Sequence, residues 1–279
     1  MTLIADSGGT KTHWAIAGSG CVLAVTQGMN PVHRSDEELA HVVADELLPH
    51  VADASAVGRV CFYGAGCTGS GVERIARLLQ EVFPKAAIEA GSDLIGAARA
   101  LFADGEGIAC ILGTGANSGL YDGCGIVANT PPLGYILGDE GSGANLGIRL
   151  VNALYKRRLP RDVAETFGRE TGLTYADVIS RVYREPMANR FLASLAPFVC
   201  RHLDVPEVAL IADEAFDCFL ARNVMPYGRR DLPVGFVGGV AWSFREHIAE
   251  AVARAGMRMG PVVQNPIEVL MHSSLSNCK

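Results

Sequence analysis

Short apolar runs alternate with longer amphipathic stretches along most of the chain. Continuous apolar runs bounded by turn residues are typical of buried strands. They predict strands at residues 3–5, 14–16, 21–25, 60–66, 87–90, 108–112, 119–121 and 233–237. Since helix-length stretches separate most of these runs, the pattern predicts an α/β fold.

The amphipathic stretches predict helices at residues 35–50, 71–83, 93–103, 138–158, most of 161–221, 240–255 and a short one from 266. Ser35 and Glu38 have the spacing of a capping box. Either Ser92 or Asp93 is expected to cap the helix that follows it. Pro197 and Pro206 are expected to interrupt the long helical region.

Two glycine-rich turns occupy the same setting, about a hundred residues apart. Asp6-Ser7-Gly8-Gly9-Thr10-Lys11-Thr12 and Gly113-Thr114-Gly115-Ala116-Asn117-Ser118 each lie between two strands. Backbone N–H groups in such turns bind anions, phosphate above all. An acidic residue beside a phosphate usually indicates a divalent metal. An ordinary β-hairpin turn explains either one alone, but their repetition indicates an internal duplication.

Neither turn matches two common nucleotide motifs. No G-x-x-x-x-G-K-[ST] sequence occurs in the chain. A dinucleotide fingerprint opens a helix, whereas each turn here leads into a strand. Paired phosphate-binding hairpins are instead the arrangement of the actin/hexokinase/Hsp70 superfamily.

A length of 279 residues suits two domains. The sequence Asp104-Gly105-Glu106-Gly107 breaks the chain, so we expect domains at 1–104 and 105–264. The helix within 265–279 is expected to pack back on the first domain.

Charge and cysteine content exclude several classes of protein. The net charge of −6 argues against a general nucleic-acid binder, and no apolar run is long enough to cross a membrane. The eight cysteines are scattered and form no C-x-x-C pair. They indicate buried thiols in a reducing cytoplasm, so we expect a cytoplasmic protein without a signal peptide.

Four motifs occur in an order that resembles the BadF/BadG/BcrA/BcrD ATPase family, and its N-acetylglucosamine kinases in particular. They are the two glycine turns, Leu137-Gly138-Asp139-Glu140-Gly141-Ser142, and Phe236-Val237-Gly238-Gly239-Val240-Ala241. The resemblance implies two ribonuclease H-like (actin-like ATPase) domains with a nucleotide and sugar cleft between them. The tail Met271-His272-Ser273-Ser274 departs from the family pattern.

The resemblance also implies ATP and Mg²⁺ as cofactors. Asp6 matches the residue that organises Mg²⁺. The residues matching those around the nucleotide are Gly8, Gly9, Thr10, Lys11, Gly113, Thr114, Gly115, Gly238 and Gly239.

Asp93 matches the residue that faces the sugar hydroxyl and accepts its proton, although an aspartate at a helix start is also an ordinary cap. Asn30, Asn117 and Asp139 are candidates for sugar hydroxyls. Asn30 precedes Pro31 in a favoured turn dipeptide, and Asp139 is also placed to cap a helix, so both have a structural alternative.

The expected activity is phosphorylation of an amino sugar, N-acetylglucosamine above all, at its 6-hydroxyl. The sequence does not separate this sugar from N-acetylmuramic acid, N-acetylmannosamine or glucosamine. One alternative is the activator ATPase of a 2-hydroxyacyl-CoA dehydratase or benzoyl-CoA reductase. Such proteins hold one [4Fe–4S] cluster between two subunits through cysteines, for which Cys67 and Cys124 are the candidates. Another is a sugar sensor without catalysis. A homodimer is allowed by analogy alone.

Overall fold

The computed structural model describes residues 1–272, and the end of the predicted tail helix, Ser273–Lys279, lies outside the described residues. The chain divides into two compact units. Unit 1 comprises residues 1–106, 121–127 and 265–272, and unit 2 comprises 107–120 and 128–264. The predicted domain limits, 1–104 and 105–264, stay a prediction.

Unit 1 is built on a five-stranded sheet with the strand order β3-β2-β1-β4-β5. Its strands are β1 Thr2–Ser7, β2 Lys11–Ile16, β3 Val22–Gln27, β4 Arg59–Gly64 and β5 Ala87–Ser92. Its helices are α1 Asp36–His41, α2 Ser70–Val82, α3 Asp93–Phe102 and, from the C-terminal segment, α13 Pro266–Leu270. Helical turns continue from α1 to His50, and the capping box of Ser35 and Glu38 is present as predicted.

The two faces of this sheet bury different residues. Leu3 and Ala5 of β1 pack with residues of α1 and α2. Ile4, which points the other way because strand side chains alternate, packs with Ala100 of α3 and Leu270 of α13. The face that carries Ile4 therefore also carries Asp6, two residues further along β1.

Unit 2 has a second five-stranded sheet, in the order β10-β9-β6-β7-β8. Its strands are β6 Gly107–Leu112, β7 Ala116–Tyr121, β8 Ile126–Thr130, β9 Pro233–Val237 and β10 Arg258–Val263. Its helices are α4 Gly134–Leu137, α5 Gly143–Tyr155, α6 Arg161–Thr171, α7 Tyr175–Tyr183, α8 Ala188–Ala193, α9 Ala196–Arg201, α10 Pro206–Phe219, α11 Gly239–Ser243 and α12 Arg245–Arg254. Apolar residues of α5, α6, α9, α10, α11 and α12 form one core with β6 and β9.

The two sheets have the same order when each is read from its first strand. In both, the second and third strands lie on one side, and the fourth and fifth follow on the other. The fourth and fifth strands run parallel to the first in both sheets. The internal duplication indicated by the two glycine turns is therefore present in the fold.

Some elements differ from the sequence expectation. Strands β8 and β10 and the short helix α4 were not predicted. β8 is short and ends in the polar residues Asn129 and Thr130, and β10 contains Gly260 and Pro261. The helix predicted at 240–255 is two helices that meet at Phe244, whose buried ring anchors the break. Among residues 1–272, no helix combines the length and apolarity needed to cross a bilayer.

A glycine allows α5 and α8 to pack closely in unit 2. A Cβ atom added at Gly147 of α5 would lie 2.0 Å from the Leu192 carbonyl oxygen of α8. Such a contact cannot form, so the helices would have to separate. Gly168 of α6 is also within a helix, but a Cβ there meets no atom within 4 Å.

These two glycines give a matched test of the packing. We expect Gly147→Ala to lower the free energy of unfolding by about 1–3 kcal/mol, since overpacking forces backbone shifts. We expect Gly168→Ala to raise it by about 0.5–1 kcal/mol through helix propensity alone. Urea denaturation of both variants measures the difference, and equal effects would contradict the close contact.

Candidate functional site

In unit 1 the carboxyl ends of three parallel strands lie side by side. The register pairs Ser7 of β1 with Gly64 of β4, and Gly64 with Ser92 of β5. Asp6 precedes Ser7, and Asp93 follows Ser92. Because β1 and β5 both border β4, the two aspartates come to one edge of the sheet although 87 positions separate them in the sequence.

The segment around Gly28, which follows β3, supports the turn after Asp6. The Gly8 N–H donates to the Lys11 carbonyl at 3.0 Å, and the Gly28 N–H donates to the Thr10 carbonyl at 2.9 Å. A Cβ at Gly28 would lie 2.6 Å from the Gly8 oxygen. Any side chain at position 28 would therefore displace the turn.

Asp93 is not the cap of α3. The N-cap is Ser92, whose hydroxyl accepts a hydrogen bond from the Ile95 N–H. Asp93 is the first helical residue, and its Oδ1 accepts from the Leu94 N–H at 2.9 Å. Ser92 rather than Asp93 therefore caps the helix, and capping does not explain why residue 93 is an aspartate.

Two acidic groups at this edge have raised pKa values. Burial, reinforced by the charge of Asp93, raises the pKa of Asp6 to about 7. Burial raises the pKa of Asp93 to about 6, against the lowering effect of backbone N–H groups. Burial and Asp93 together also raise the pKa of the nearby Cys67 thiol to about 11.

Asp6 and Asp93 suit a divalent cation. Each is a half-buried oxygen ligand, and no basic side chain is among the causes that set either pKa. Hard cations such as Mg²⁺ take carboxylate oxygens together with water and phosphate. A bound cation would supply the positive charge that this pair lacks.

An ion pair beneath the site fixes helix α3. Glu89 of β5 accepts hydrogen bonds from Arg59 at 2.7 Å and from Arg99 of α3. Arg99 also contacts the Tyr63 hydroxyl, and Gly96 lies so close that a Cβ there would be 2.6 Å from Tyr63 Cβ. These contacts fix the start of α3 relative to β4 and β5.

Asn30 lies beside the loop that follows β4. Its Oδ1 accepts from the Val32 N–H at 2.9 Å, as expected for a turn. The same oxygen would be 2.2 Å from a Cβ at Gly66, whose φ of +74° favours glycine. Arg74 of α2 holds this segment by donating to the Pro31 carbonyl. The turn uses the amide oxygen of Asn30 and leaves its NH₂ group for a ligand.

In unit 2, Asp139 lies against the second glycine turn. Its Oδ1 accepts from the Ala116 N–H at 3.3 Å, and its Oδ2 would be 3.1 Å from a Cβ at Gly115. Asp139 has a φ of +54°, an uncommon conformation for a residue other than glycine. The N-cap of α5 is Ser142, so Asp139 does not cap that helix. Burial raises the pKa of Asp139.

Gly238 brings the fourth motif to the same turn. It follows β9, which is parallel to β6, and its φ is +115°. A Cβ at Gly238 would lie 2.4 Å from the Leu112 oxygen, just before Gly113. The turn at 113–115, Asp139 and Gly238 are thus neighbours within unit 2.

Three glycines of these motifs have no explanation in packing. A Cβ at Gly9, Gly113 or Gly239 would meet no atom within 4 Å, and none has a φ in the left-handed region. Neither backbone conformation nor neighbouring atoms therefore require glycine at these positions. The absence of a side chain at these positions leaves room for a ligand to approach the backbone closely.

Asn117 is engaged within its own sheet. Its Oδ1 accepts from the Ser118 N–H and from the Asn129 side chain, both at 2.9 Å. These bonds turn the amide oxygen of Asn117 towards β8. The structure therefore gives it less freedom to bind a ligand than it gives Asn30 or Asp139.

Sequence reasoning missed several residues that shape these sites. Glu140 is buried and accepts from Arg222 at 3.0 Å and Asn223 at 3.1 Å, which ties the Asp139 segment to the helical turn that follows α10. Gly28 and Arg74 hold the loops of unit 1. Only Gly28 left a sequence signal, as a glycine directly before the Met29-Asn30-Pro31 turn.

The structure argues against an iron–sulfur site on Cys67. Its side chain is buried, and its Sγ donates to the Gly71 carbonyl at 3.9 Å. A buried thiol that is hydrogen-bonded to the backbone is not presented at the surface, where a cluster shared between two subunits would lie. Cys124 is exposed on the turn between β7 and β8.

One further group of potential metal ligands occurs in residues 1–272. Asp213, His247 and Glu250 present ligand atoms within 4.8 Å of one another. The Arg254 guanidinium lies 3.6 Å from Asp213 and 3.8 Å from Glu250. Since an arginine already neutralises these carboxylates, the group forms an ion-pair network on α10 and α12.

The raised pKa values predict how stability depends on pH in the metal-free protein. Between pH 4 and 7 the unfolded chain releases protons that folded Asp6 and Asp93 retain, so the free energy of unfolding falls as the pH rises. Asp93→Asn removes one of the two charges. We expect this variant to be about 1–3 kcal/mol more stable than the parent at pH 8 and nearly unchanged at pH 4.

Thermal unfolding in EDTA at both pH values measures this effect. Asp231→Asn is the control. The hydrogen bond from Arg229 lowers the pKa of Asp231, so this variant is expected to lose stability at pH 8 rather than gain it. A variant Asp93→Asn that gained no stability at pH 8 would contradict the description of Asp93 as a buried, destabilising charge.

Comparisons with known proteins agree with this geometry. A presumed N-acetylglucosamine kinase from Porphyromonas gingivalis has a solved structure that matches with a TM-score of 0.92 and 47% identity over 97% of each chain. A presumed N-acetylglucosamine kinase from Chromobacterium violaceum matches with a TM-score of 0.67 and 22% identity over 97% of this chain and 98% of that one. A ROK hexokinase from Thermus thermophilus matches with 0.51 and 18%, over 94% and 92%.

The last two similarities, below 25% identity, show the fold alone. No protein-family model and no curated protein matches the sequence. The first similarity spans nearly the whole of both chains at an identity that shows common family membership. The chain therefore belongs to the N-acetylglucosamine kinase-like branch of the BadF/BadG/BcrA/BcrD ATPase family, within the actin/hexokinase/Hsp70 superfamily.

Proposed function

We propose that this protein is a sugar kinase that transfers the γ-phosphoryl group of Mg-ATP to an amino sugar, N-acetylglucosamine above all, at its 6-hydroxyl. The observation that carries the proposal is the pair Asp6 and Asp93, at one sheet edge beside a glycine turn. The similarity to the Porphyromonas gingivalis protein supports the substrate class.

Asp93 is proposed as the base. A carboxyl with a pKa of about 6 is mostly ionised at neutral pH, yet basic enough to accept a proton from an attacking hydroxyl. Phosphoryl transfer passes through a loose transition state, so the carboxylate mainly orients the attacking oxygen. Ser92 and the Leu94 N–H hold Asp93 in place for this role.

Asp6 is proposed to hold Mg²⁺ directly or through water. The cation supplies positive charge to the phosphates when it is bound. Its charge would also offset the repulsion between Asp6 and Asp93 that raises the pKa of Asp6. Asp6 would then be ionised in the loaded enzyme.

The glycine turns are proposed to hold the nucleotide. Gly8, Gly9, Thr10 and Lys11 in unit 1, and Gly113, Thr114 and Gly115 in unit 2, would surround the phosphates. Gly238 and Gly239 would admit the nucleoside close to the backbone. The open space above Gly9, Gly113 and Gly239 supports this assignment.

Sugar recognition is proposed for Asn30 and Asp139, with Asn117 in a lesser role. A half-buried carboxylate such as Asp139 would discriminate between sugars, because a missing hydroxyl leaves it unpaired. Asn30 lies beside Gly66, and Gly66 precedes Cys67, whose thiol senses the charge of Asp93. The NH₂ group of Asn30 is therefore near the proposed base. The activator alternative is not favoured, since Cys67 is buried.

The substitution Asp93→Asn tests the base. It preserves the shape of the side chain, so we expect ATP affinity to stay within about threefold while kcat falls by about 10²–10⁴-fold. A coupled assay of ADP release with N-acetylglucosamine, N-acetylmuramic acid, N-acetylmannosamine and glucosamine measures both activity and substrate preference. Unchanged kcat in Asp93→Asn would remove Asp93 from this role, and no turnover of any amino sugar by the parent would overturn the proposed function.

A matched set of glycine variants tests the first turn. We expect Gly9→Ala to leave the fold as stable as before or up to about 1 kcal/mol more stable, but to weaken ATP binding by tenfold or more. Gly28→Ala should weaken ATP binding and also destabilise the fold by about 1–3 kcal/mol, because its methyl group meets the turn.

Gly58→Ala is the control, since a Cβ there meets no atom within 4 Å. Melting temperatures and calorimetric ATP titrations separate stability from binding. Normal ATP affinity in Gly9→Ala would contradict a phosphate contact at this turn.

A further inference from the structure

An exposed tryptophan lies beside the open space over Gly239. Helix α11 starts at Gly239, and Trp242 is three residues further along it. Residues three apart lie on the same face of a helix, and helical side chains tilt towards the N-terminus. The indole of Trp242 is therefore directed towards the side of α11 on which a side chain at Gly239 would meet nothing.

A cation supports this indole. The Arg245 guanidinium carbon lies 5.4 Å from the centre of the Trp242 ring, and its Nη1 donates to the Trp242 carbonyl at 3.1 Å. Contacts of this kind restrict the ring without burying it. Trp242 remains 41% exposed. Its neighbours Ala241 and Phe244 are buried in the core of unit 2.

The location of this pair relates it to the second glycine turn. The Trp242 N–H donates to the Gly238 carbonyl at 3.0 Å. Gly238 in turn contacts Leu112, immediately before Gly113. A ligand that extends from the turn at 113–115 across Gly239 would reach the indole.

We propose that Trp242, supported by Arg245, is a stacking platform for the base of a purine nucleotide. The inference rests on the proposed function, because it takes the phosphates to lie on the turn at 113–115. Base recognition by stacking tolerates different ring substituents, since every base has a π-face. The platform therefore favours the larger purines over pyrimidines and distinguishes little between adenine and guanine.

The chain provides a direct optical test, because it has two tryptophans. Trp14 is fully buried in unit 1, and Trp242 is the exposed one. A base stacked on Trp242 quenches its fluorescence. We expect Mg-ADP to quench the emission of the parent protein, excited at the red edge of the indole band, and to leave the emission of Trp242→Phe unchanged while still binding to it.

Affinity provides the second readout. We expect Trp242→Ala to weaken Mg-ADP binding by about 5- to 50-fold in calorimetric titrations, and Trp242→Phe to weaken it less, because phenylalanine still stacks. Mg-GDP should bind the parent protein about as well as Mg-ADP, and Mg-UDP and Mg-CDP at least fivefold more weakly. Tyr183→Ala, at another exposed aromatic of unit 2, is the control and should leave all affinities unchanged.

Two results would overturn the platform. One is parent-like affinity for Mg-ADP in a folded Trp242→Ala variant, and the other is binding of Mg-ADP to the parent without a change in tryptophan emission. Either would leave phosphoryl transfer intact in the coupled assay, so the proposed function would survive. Absence of any nucleotide binding by the parent protein would overturn both.

Discussion

The unit 1 site depends on the burial of two carboxyl groups at one edge of a sheet. Asp6 and Asp93 come to one edge because the strands that carry them both run parallel to β4. Burial raises the pKa of both groups, and the charge of Asp93 raises the pKa of Asp6 further, so both carboxyl groups keep their protons to a higher pH than they would in water. The fold maintains this unfavourable arrangement because extensive apolar packing holds both faces of the sheet. Raised pKa values of this kind are typical of functional sites, which is consistent with the roles proposed for the two residues.

Unit 2 repeats the scaffold but not the chemistry. Its sheet has the same strand order, and its glycine turn follows the equivalent first strand. No carboxylate leaves β6, which ends at Leu112. Asp139 instead reaches the turn from the segment before α5 and contacts the Ala116 N–H. The duplication therefore preserved the backbone turn while the polar side chains around it diverged.

The sequence predicted the fold class, both glycine turns and most strands because these features are local. Apolar runs mark buried strands, and glycines mark turns, whatever the rest of the chain does. The duplication followed from a repeated local pattern. Strands β8 and β10 were not predicted, because their stability comes from pairing with a neighbouring strand rather than from their own composition.

Contacts between distant segments were beyond sequence reasoning. Whether Ser92 or Asp93 caps α3 depends on the path of the backbone, and only the structure shows that the cap is Ser92. The ties of Glu140 to Arg222 and Asn223 join residues more than 80 positions apart. The support of the first turn by Gly28 and the stacking of Arg245 on Trp242 are likewise visible only in the folded chain.

The short segment from Gly28 to Asn30 restricts how this protein can diverge. At one end its backbone supports the Gly8–Thr10 turn, and at the other Asn30 lies against Gly66. Met29, between them, is buried, and its N–H donates to the Ser7 hydroxyl at 3.1 Å. Under the proposed roles, a change at Asn30 that alters the sugar bound would also act on the segment that supports the Gly8–Thr10 turn, so sugar preference and ATP affinity would change together.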